Sequence, residues 1–317
     1  MSRPRQTQSY LRMLFAQKGI APQHRFGQNF LVDLNIHDLI VKTAELGPED
    51  VVLEIGPGAG AMTALMAEHC AAVVAVDIDP GMAALATDAT REYPNVRVIQ
   101  ADALARKNRL NPVVLDNIAA GLAVDPEHRK FKLVANLPYN VATPIIGNFL
   151  VLPDQCPSKM VVTIQLELAE RMVAEPGTHP YSALSVLVQA LADAEIVRVL
   201  PPTVFWPRPK VESAVIAITP NAEKRAAIGD VAWFHAVVRQ VFLHRRKNLR
   251  RVLHSFHREK LERAEVDAML ESIGLTGLIR AEAMNVEEFI ALAKALRERL
   301  SLAEIEEVDN SDGDESD

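Results

Sequence analysis

Four consecutive residues, Asn136 to Tyr139, carry the groups that would hold an aromatic amine. They follow the apolar run 131–135, which predicts a short buried strand, and residues that follow such a strand face the crevice at the carboxyl edge of a sheet. Asn136 has an amide oxygen that accepts a hydrogen bond, and Pro138 favours an extended Leu137 with an outward carbonyl. Tyr139 adds a flat ring, and two acceptors beside a ring suit adenine. A strand-to-loop turn with a buried tyrosine would use the same four residues.

A glycine-rich turn predicts a nucleoside site. Residues 51–55 predict a second buried strand, 56–61 read Gly-Pro-Gly-Ala-Gly-Ala, and a helical pattern follows. Strand, glycine turn and helix open dinucleotide-type folds, in which a side chain at the turn would push the backbone away from the ligand. Asp77 ends the next apolar run, 73–76, and stands 21 residues after Gly56, where a carboxylate accepts both ribose hydroxyls.

Two further segments carry weaker signals. The third strand, 96–100, is followed by Asp102, which would either accept from an adenine amine or cap the next helix. Gly27 permits a turn that lets Gln28 and Asn29 face a ligand, although an amphipathic lead-in to a helix at 35–46 would look similar.

The elements that must position these residues alternate between strand and helix. Such alternation predicts an α/β fold with a mostly parallel doubly wound sheet. The later strands are predicted at 131–135, 160–166 and 211–219, and helices at 167–174 and 181–192. The connection from 106 to 130 is long, and we assign it no chemistry.

A proline-dense loop, 200–210, sets Phe205 and Trp206 beside Arg208 and Lys210. Aromatic rings among cations stack bases and hold phosphates, so we expect a nucleic-acid contact here. A rigid linker with buried aromatics is the alternative.

From about residue 222 the pattern is helical, with helices expected at 258–273 and 285–300. A basic helix is predicted at the start of this region, and its cations would bind RNA phosphate unless they form only a solvated face. The cations are Arg245, Arg246, Lys247, Arg250 and Arg251.

The net charge of −7 is concentrated in the last residues. Eight acidic residues and no lysine or arginine fall within 304–317, which predicts a disordered, solubilising tail or a mimic of phosphate charge. Without them, 34 basic residues stand against 33 acidic ones. Residues 1–25 are basic and polar and are predicted to form a flexible arm.

Several classes of protein are disfavoured. The chain has no apolar run of 18 residues and no signal-peptide core near its start, so we expect a cytoplasmic protein without a membrane contact. Cys70 and Cys156 are far apart and lack partners at metal-ligand spacing, so we expect no metal site and no disulfide framework.

Taken in order, six motifs resemble the KsgA/RsmA family of small-subunit ribosomal RNA adenine dimethyltransferases, over about residues 20–300. They are Phe26-Gly-Gln-Asn-Phe-Leu31, Glu54-Ile-Gly-Pro-Gly58, Asp102-Ala103, Asn136-Leu-Pro-Tyr-Asn140, Pro209-Lys-Val-Glu-Ser-Ala-Val215 and Arg245-Arg-Lys247.

The resemblance implies a Rossmann-like class I methyltransferase sheet that uses S-adenosyl-L-methionine. The implied reaction dimethylates the exocyclic amines of two adjacent adenosines near the 3′ end of 16S rRNA, with a role in small-subunit biogenesis. The implied partner is rRNA in an immature subunit, and we expect a monomer. The implied domains are a methyltransferase domain at 26–221 and a helical rRNA-binding domain at 222–303.

The resemblance also assigns residues. The implied cofactor contacts are Asn29, Leu31, Gly56, Asp77, Asp102 and Asn136. The implied target-adenine site is Asn136, Leu137, Pro138 and Tyr139, with Phe205 as a second stacking face. The chain departs from the family pattern at Asp77, where glutamate is usual, in the long 106–130 connection and in the acidic tail.

Three other functions fit parts of the pattern. A large-subunit rRNA adenine methyltransferase of the antibiotic-resistance type shares most of the motifs. A binding factor without turnover would keep the fold, but the intact Asn136-Leu-Pro-Tyr139 motif argues against it. A nicotinamide dehydrogenase fits Gly56-x-Gly58-x-x-Ala61 but leaves that motif and the basic run unexplained.

Overall fold

The computed structural model describes residues 7–23, 27–106, 109–256 and 262–305. The beginning of the expected basic arm, with Arg3 and Arg5, therefore lies outside the described residues, as do Arg25 and residues 306–317 of the acidic tail. Ile305, within the expected tail, is described and fully buried.

Two compact units make up the chain. The first contains residues 1–169 and 194–220, and the second contains 170–193 and 221–317. The sequence placed a single boundary at 221/222 and so missed that 170–193 belong with the C-terminal residues. Within the second unit, Lys224 Nζ donates to the carbonyl oxygens of Gln189 and Ala192, which ties this segment to the helical region.

Eleven strands are assigned in the described residues. They are β1 Phe30–Leu31, β2 Asp50–Ile55, β3 Ala72–Asp77, β4 Val96–Gln100, β5 Leu104–Arg106, β6 Arg109–Leu110, β7 Lys130–Asn136, β8 Lys159–Gln165, β9 Ala192–Leu200, β10 Phe205–Trp206 and β11 Ser213–Pro220.

Seven of these strands form the main sheet, in the order β4-β3-β2-β7-β8-β11-β9. Strands β2, β3, β4, β7 and β8 are parallel, and β11 runs antiparallel to β8. The α/β class with a mostly parallel sheet is confirmed. Strand β2 is buried at all six positions, including Asp50 and Glu54, as expected for a strand of a sheet that is covered on both faces.

Thirteen helices are assigned in the described residues. They are α1 Gln8–Lys18, α2 Leu34–Ala44, α3 Ala61–Ala67, α4 Pro80–Ala89, α5 Pro112–Leu122, α6 Ala142–Val151, α7 Leu166–Met172, α8 Ala183–Leu191, α9 Ala222–Ile228, α10 Val231–Leu243, α11 Leu249–Phe256, α12 Arg263–Ser272 and α13 Val286–Arg297.

Helix α4 shows how local sequence positions the site. Asp79 caps it, with a side-chain oxygen that accepts from the backbone N–H groups of Gly81 and Met82, and Pro80 occupies the first helical position, where its fixed φ suits a helix start. This cap holds the end of β3 and the start of α4 close together beside Asp77.

The predicted flexible arm is wrong for residues 8–18, which form helix α1. Leu11 and Phe15 are almost fully buried in an apolar cluster that includes Met82 and Leu85 of α4. The apolar positions of α1 lie four residues apart, so they share one face of a helix. The basic and polar composition of this segment is compatible with either a flexible arm or an amphipathic helix, so composition alone could not distinguish the two.

The described part of the 106–130 connection holds strand β6, which pairs with β5, and helix α5. Strand β9 was missed by the sequence, because the run 192–200 mixes charged and apolar residues and is largely half-buried or exposed.

The basic run does not form one helix. Residues 245–247 lie in the turn between α10 and α11, and only Arg250 and Arg251 lie on α11. The buried side of α11 is formed by Leu249, Val252, Leu253 and Phe256.

Within the described residues, no single helix has the length and apolar composition to cross a membrane. Helices α9 and α10 meet that criterion only as a pair, across a 75° bend. The described part of the chain also contains no group of three His, Cys, Asp or Glu side chains arranged to hold a metal ion.

Candidate active site

A cavity of about 870 Å³, counting the space open to solvent, lies at the carboxyl edge of the sheet in the first unit. Most of its lining comes from the ends of β2, β3, β4 and β7 and the segments that follow them, as expected where parallel strands end together, and residues 27–30 complete it. Among the residues that the sequence singled out, the cavity is lined by Gln28, Asn29, Gly56, Asp77, Asp102, Asn136, Leu137, Pro138 and Tyr139.

Asp77 is a buried acid in the cavity wall, with 7% of its surface exposed. Its Oδ1 accepts from the backbone N–H of Asp79 at 2.9 Å, which fixes the carboxyl group at the end of β3. Burial raises the pKa of Asp77 to about 6. Around neutral pH the group is therefore ionised and has acceptor capacity left for hydroxyl groups.

A second buried acid, Glu54, lies at the end of β2. It is 2% exposed, and its Oε2 accepts a short hydrogen bond from the Thr63 hydroxyl. Burial and, to a smaller extent, the negative charge of Asp77 raise the pKa of Glu54 to about 8. Of these two buried acids, Glu54 is therefore protonated at neutral pH and Asp77 is ionised. The motifs in the sequence indicated no separate role for Glu54.

The glycine turn lies too close to its neighbours to carry a side chain at Gly58. Gly56 and Gly58 have φ angles of +75° and +55°, which favour glycine. A Cβ on Gly58 would lie 2.9 Å from Cδ1 of Phe30. The backbone and the Phe30 ring are therefore packed as closely as glycine permits beside the cavity.

Asn136 is the last residue of β7, and a hydrogen bond fixes the orientation of its side-chain amide. Its Nδ2 donates to the backbone carbonyl of Asn29 at 2.9 Å. Because the amide nitrogen is held by this bond, the oxygen Oδ1 is left as the acceptor for a ligand. Asn29 thus contributes a backbone group to the orientation of Asn136 and also lines the cavity itself.

The two residues after Asn136 continue the cavity wall. Leu137 is 1% exposed, and its backbone N–H donates to the carbonyl of Thr163 on β8 at 3.1 Å. Its side chain is buried, so its contribution to a ligand would come from the backbone.

Tyr139 lies at the end of this segment, half-buried and on the cavity wall. Its hydroxyl is 2.6 Å from Oγ of Ser213 on β11. Sequence analysis did not find Ser213 as a partner, because 74 residues separate it from Tyr139.

Gln28 supports the cavity through a hydrogen-bonded group. Its Nε2 donates to Oδ2 of Asp79 at 3.2 Å, and its Oε1 accepts from the backbone N–H of Gln23 at 2.7 Å. Gln23 Nε2 donates to the same Asp79 oxygen at 3.0 Å. These bonds hold the segment before β1 against the cap of α4.

Asp102 is exposed at the edge of the cavity. Its Oδ1 accepts from the backbone N–H of Leu104 at 2.9 Å. Because strand β5 and not a helix follows, the helix-cap alternative is wrong, and the other carboxylate oxygen is left for a ligand.

Two expected site residues are not on the cavity wall. Leu31 and Phe205 are 5% and 3% exposed and belong to one apolar core cluster. They are opposite each other in the short antiparallel pair of β1 and β10. This pairing buries the Phe205 ring, so the structure does not support a stacking role for it, and Leu31 is an anchor of the core.

The expected RNA-binding cations divide into two groups. Arg208 and Lys210 are exposed in the first unit, and Arg245, Arg246, Lys247 and Arg251 are exposed in the second. Arg250 differs, because its Nε donates to Oδ1 of Asp267 in a short contact. Its guanidinium is thus already engaged within the second unit.

A family model described as ribosomal RNA adenine dimethylase matches residues 21–298. The ribosomal RNA small subunit methyltransferase A of Moorella thermoacetica is 37% identical over 286 residues, covering 90% of this chain and 96% of the relative. The protein of the same name from Lactiplantibacillus plantarum is 38% identical over 281 residues, covering 88% and 92%.

Two solved structures are similar over most of the chain. A dimethyladenosine transferase from Plasmodium falciparum has a TM-score of 0.67 at 22% identity, covering 84% of this chain and 96% of that one. The 23S rRNA methyltransferase ErmE has a TM-score of 0.60 at 27% identity, covering 85% and 100%. The class I methyltransferase fold expected from the motifs is confirmed.

These likenesses extend over both units and include every segment that lines the cavity. With the family model covering residues 21–298, the adenine dimethyltransferase activity expected from the motifs is confirmed at the level of the family. The chain belongs to the ribosomal RNA adenine dimethylase family.

Proposed function

We propose that this protein transfers methyl groups from S-adenosyl-L-methionine to the exocyclic amines of two adjacent adenosines near the 3′ end of small-subunit rRNA, during biogenesis of that subunit in the cytoplasm. The observation that carries the proposal is the amide of Asn136. Its nitrogen is held by Asn29 and its oxygen is available in the same cavity as Asp77 and the glycine turn.

The cavity fits the cofactor. The ionised, buried carboxylate of Asp77 suits ribose hydroxyls, and Asp102 supplies a second acceptor near the expected position of the adenine ring. The glycine turn lets the backbone approach a ligand closely. The family is one of S-adenosylmethionine-dependent enzymes, and this cofactor, when bound, supplies a methyl group already activated by its sulfonium.

The chain's own residues then have to prepare the amine. The lone pair of an adenine amine is delocalised into the ring, so the amine is a weak nucleophile. Acceptance of its hydrogens by Asn136 Oδ1 and the Leu137 carbonyl favours a pyramidal nitrogen whose lone pair faces the methyl group. Orientation of this kind is worth about 7–11 kcal/mol of barrier in favourable cases, so no metal or activated side chain is needed.

The base must leave its stack to reach this site, at a cost of a few kcal/mol. Stacking on the ring of Tyr139 offsets about 1–3 kcal/mol of that cost. A second transfer to the same nitrogen requires space for a methylamine, which a cavity open to solvent offers.

RNA binding is assigned to exposed cations. Arg208 and Lys210 in the first unit are proposed to contact phosphate, as are Arg245, Arg246, Lys247 and Arg251 in the second. Arg250 is left out of this set because of its contact with Asp267. The proposed partner is the rRNA of an immature small subunit, bound by a monomer.

The substitution Asn136→Ala tests the proposal. We expect methyl transfer to immature small subunits to fall below detection, because the acceptor and the Asn29 contact are both lost, while RNA affinity stays that of the wild type. Radiolabelled methyl transfer and filter binding measure the two quantities. Transfer at a near-normal rate by this variant would remove Asn136 from the mechanism.

A second candidate substrate is large-subunit rRNA, because ErmE, a 23S rRNA methyltransferase, is 27% identical. The relatives named as small subunit methyltransferases are more similar, at 37–38%. Mapping of methylated adenosines after incubation with small or large subunits separates the two, and modification of 23S rRNA alone would favour the second.

A further inference from the structure

Ser213 has a contact that the reaction described so far does not use. It is the first residue of β11, its side chain is fully buried, and its Oγ lies 2.6 Å from the hydroxyl of Tyr139. We propose that Ser213 is a positioning residue, which fixes the plane of the Tyr139 ring so that the target adenine can stack on it. The inference rests on the proposed function.

The serine is held by the sheet rather than by a loop. Ser213 is in register with Gln165, at one end of an antiparallel β8–β11 pairing that extends to Ile218 and Met160. Strand β8 is in turn parallel to β7, the strand that leads into the adenine site. Because the backbone of Ser213 is held by the paired strands β7, β8 and β11, its hydroxyl is a well-positioned partner for the hydroxyl of Tyr139.

The same two strands hold the adenine-site segment at a second point. The backbone N–H of Leu137 donates to the carbonyl of Thr163 on β8. Neither β8 nor β11 contributes a residue to the cavity wall. Residues 137–139 are thus attached to the sheet by one backbone bond and one side-chain bond, both made from outside the cavity.

The hydroxyl bond acts on the orientation of the ring. The torsion that turns a tyrosine ring about its Cβ–Cγ bond has a broad energy profile, so attachment at Cβ alone leaves the plane poorly defined. The bond to Ser213 holds the opposite end of the ring, and two attachment points limit both tilt and displacement. Stacking depends on that plane, whereas contacts with phosphate and cofactor do not.

A simpler explanation is that the two hydroxyls only satisfy each other, as buried polar groups generally do. The bond of Tyr181 illustrates this case, because that residue is fully buried and donates to the carbonyl of Met284. Tyr139 differs in that it is half-buried and lines the cavity. The two explanations predict different kinetics.

The experiment is a double-mutant cycle with Ser213→Ala and Tyr139→Phe in the full-length protein. Each variant removes one hydroxyl and keeps the ring. We expect each to lower kcat by roughly 2- to 13-fold, the range that one net hydrogen bond supports. The KM for immature subunits and the dissociation constant of S-adenosylmethionine should stay unchanged. The kcat of the double variant should be no lower than that of either single variant.

Ser158→Ala is the matched control. Ser158 Oγ donates to the carbonyl of Phe131 near the other end of β7, so this variant also removes one serine hydrogen bond on the sheet but away from the cavity. We expect wild-type kcat for it. If the Ser213 bond only stabilises the fold, Ser213→Ala will lower the unfolding midpoint and leave kcat at the wild-type value.

Three results would overturn the inference. They are wild-type kcat in Ser213→Ala, additive losses in the double variant, and a change in cofactor affinity that accounts for the loss. The Asn136→Ala variant, assayed in parallel, separates this inference from the proposed function. If Asn136→Ala is inactive while Ser213→Ala is normal, only the role of Ser213 is lost; activity in Asn136→Ala removes the proposed site itself.

Discussion

Cofactor affinity should depend on the protonation of Asp77. Burial raises the pKa of this carboxyl group to about 6 in the free protein, well above the ordinary value of an aspartate. If the carboxylate accepts the ribose hydroxyls, the bound cofactor stabilises the ionised form and returns the pKa toward its ordinary value of about 4. Binding must then release a proton when the pH lies between about 4 and 6.

The size of the effect follows from the two pKa values. At pH 7 almost every Asp77 is ionised in the free protein, whereas at pH 5 only about one in eleven is, and nearly all are in the complex. The dissociation constant should therefore rise about tenfold between pH 7 and pH 5. Over this range Glu54, whose pKa is about 8, stays mostly protonated and contributes little to the pH dependence of the dissociation constant.

Protonation of Asp77 weakens cofactor binding, but it has the opposite effect on the stability of the fold. A folded pKa above the ordinary value means that Asp77 contributes most to stability below pH 4, and that this contribution is lost as the pH rises through 6. The expected weakening at pH 5 is therefore not caused by this group destabilising the fold.

Isothermal titration calorimetry with S-adenosyl-L-methionine, at steps from pH 5 to 7, measures the effect. Asp77→Asn is the matched control: it should bind more weakly at pH 7 and show little dependence on pH. A dissociation constant that stays constant in the wild type, or one that rises equally in Asp77→Asn, would refute the assignment of Asp77 to the ribose.

Three other substitutions test separate parts of the structure. Gly58→Ala should weaken cofactor binding about 5- to 30-fold, because its φ of +55° and a Cβ 2.9 Å from the Phe30 ring force the turn to shift; calorimetry measures it. Lys132→Met should lower the free energy of unfolding by about 3 kcal/mol in urea, because it leaves the buried carboxylate of Asp50, 2.9 Å from Lys132 Nζ, without its cationic partner. Reversal of residues 245–247 to glutamate should weaken RNA binding with a smaller salt dependence, and leave cofactor affinity unchanged.

The second and third of these tests each have a control in the same chain. Asp50→Asn in the Lys132→Met background should recover part of the lost stability, and no recovery would mean that the pair is not the cause. For residues 245–247, the control is a variant in which three exposed cations elsewhere in the second unit are replaced by glutamate. These are Arg263, Lys294 and Arg299. Equal RNA affinity in the two triple variants would exclude a specific role for 245–247.

The sequence determined the chemistry of the site because its signals are local. The spacing of Asp77 after the glycine turn, and the position of Asn136 at the end of an apolar run, both place polar groups at the carboxyl ends of parallel strands. Parallel strands of one sheet end on the same side, so residues distant in the chain meet there without further information.

Only the tertiary structure decided which residues support that site. The pairing of β1 with β10 places Leu31 and Phe205 in the core rather than on the cavity wall, and two-residue strands have no periodic pattern that predicts such pairing. The bond between Tyr139 and Ser213 joins positions 74 residues apart. Its partners are set by the register of β11 on β8, which depends on the packing of the whole sheet and not on any motif.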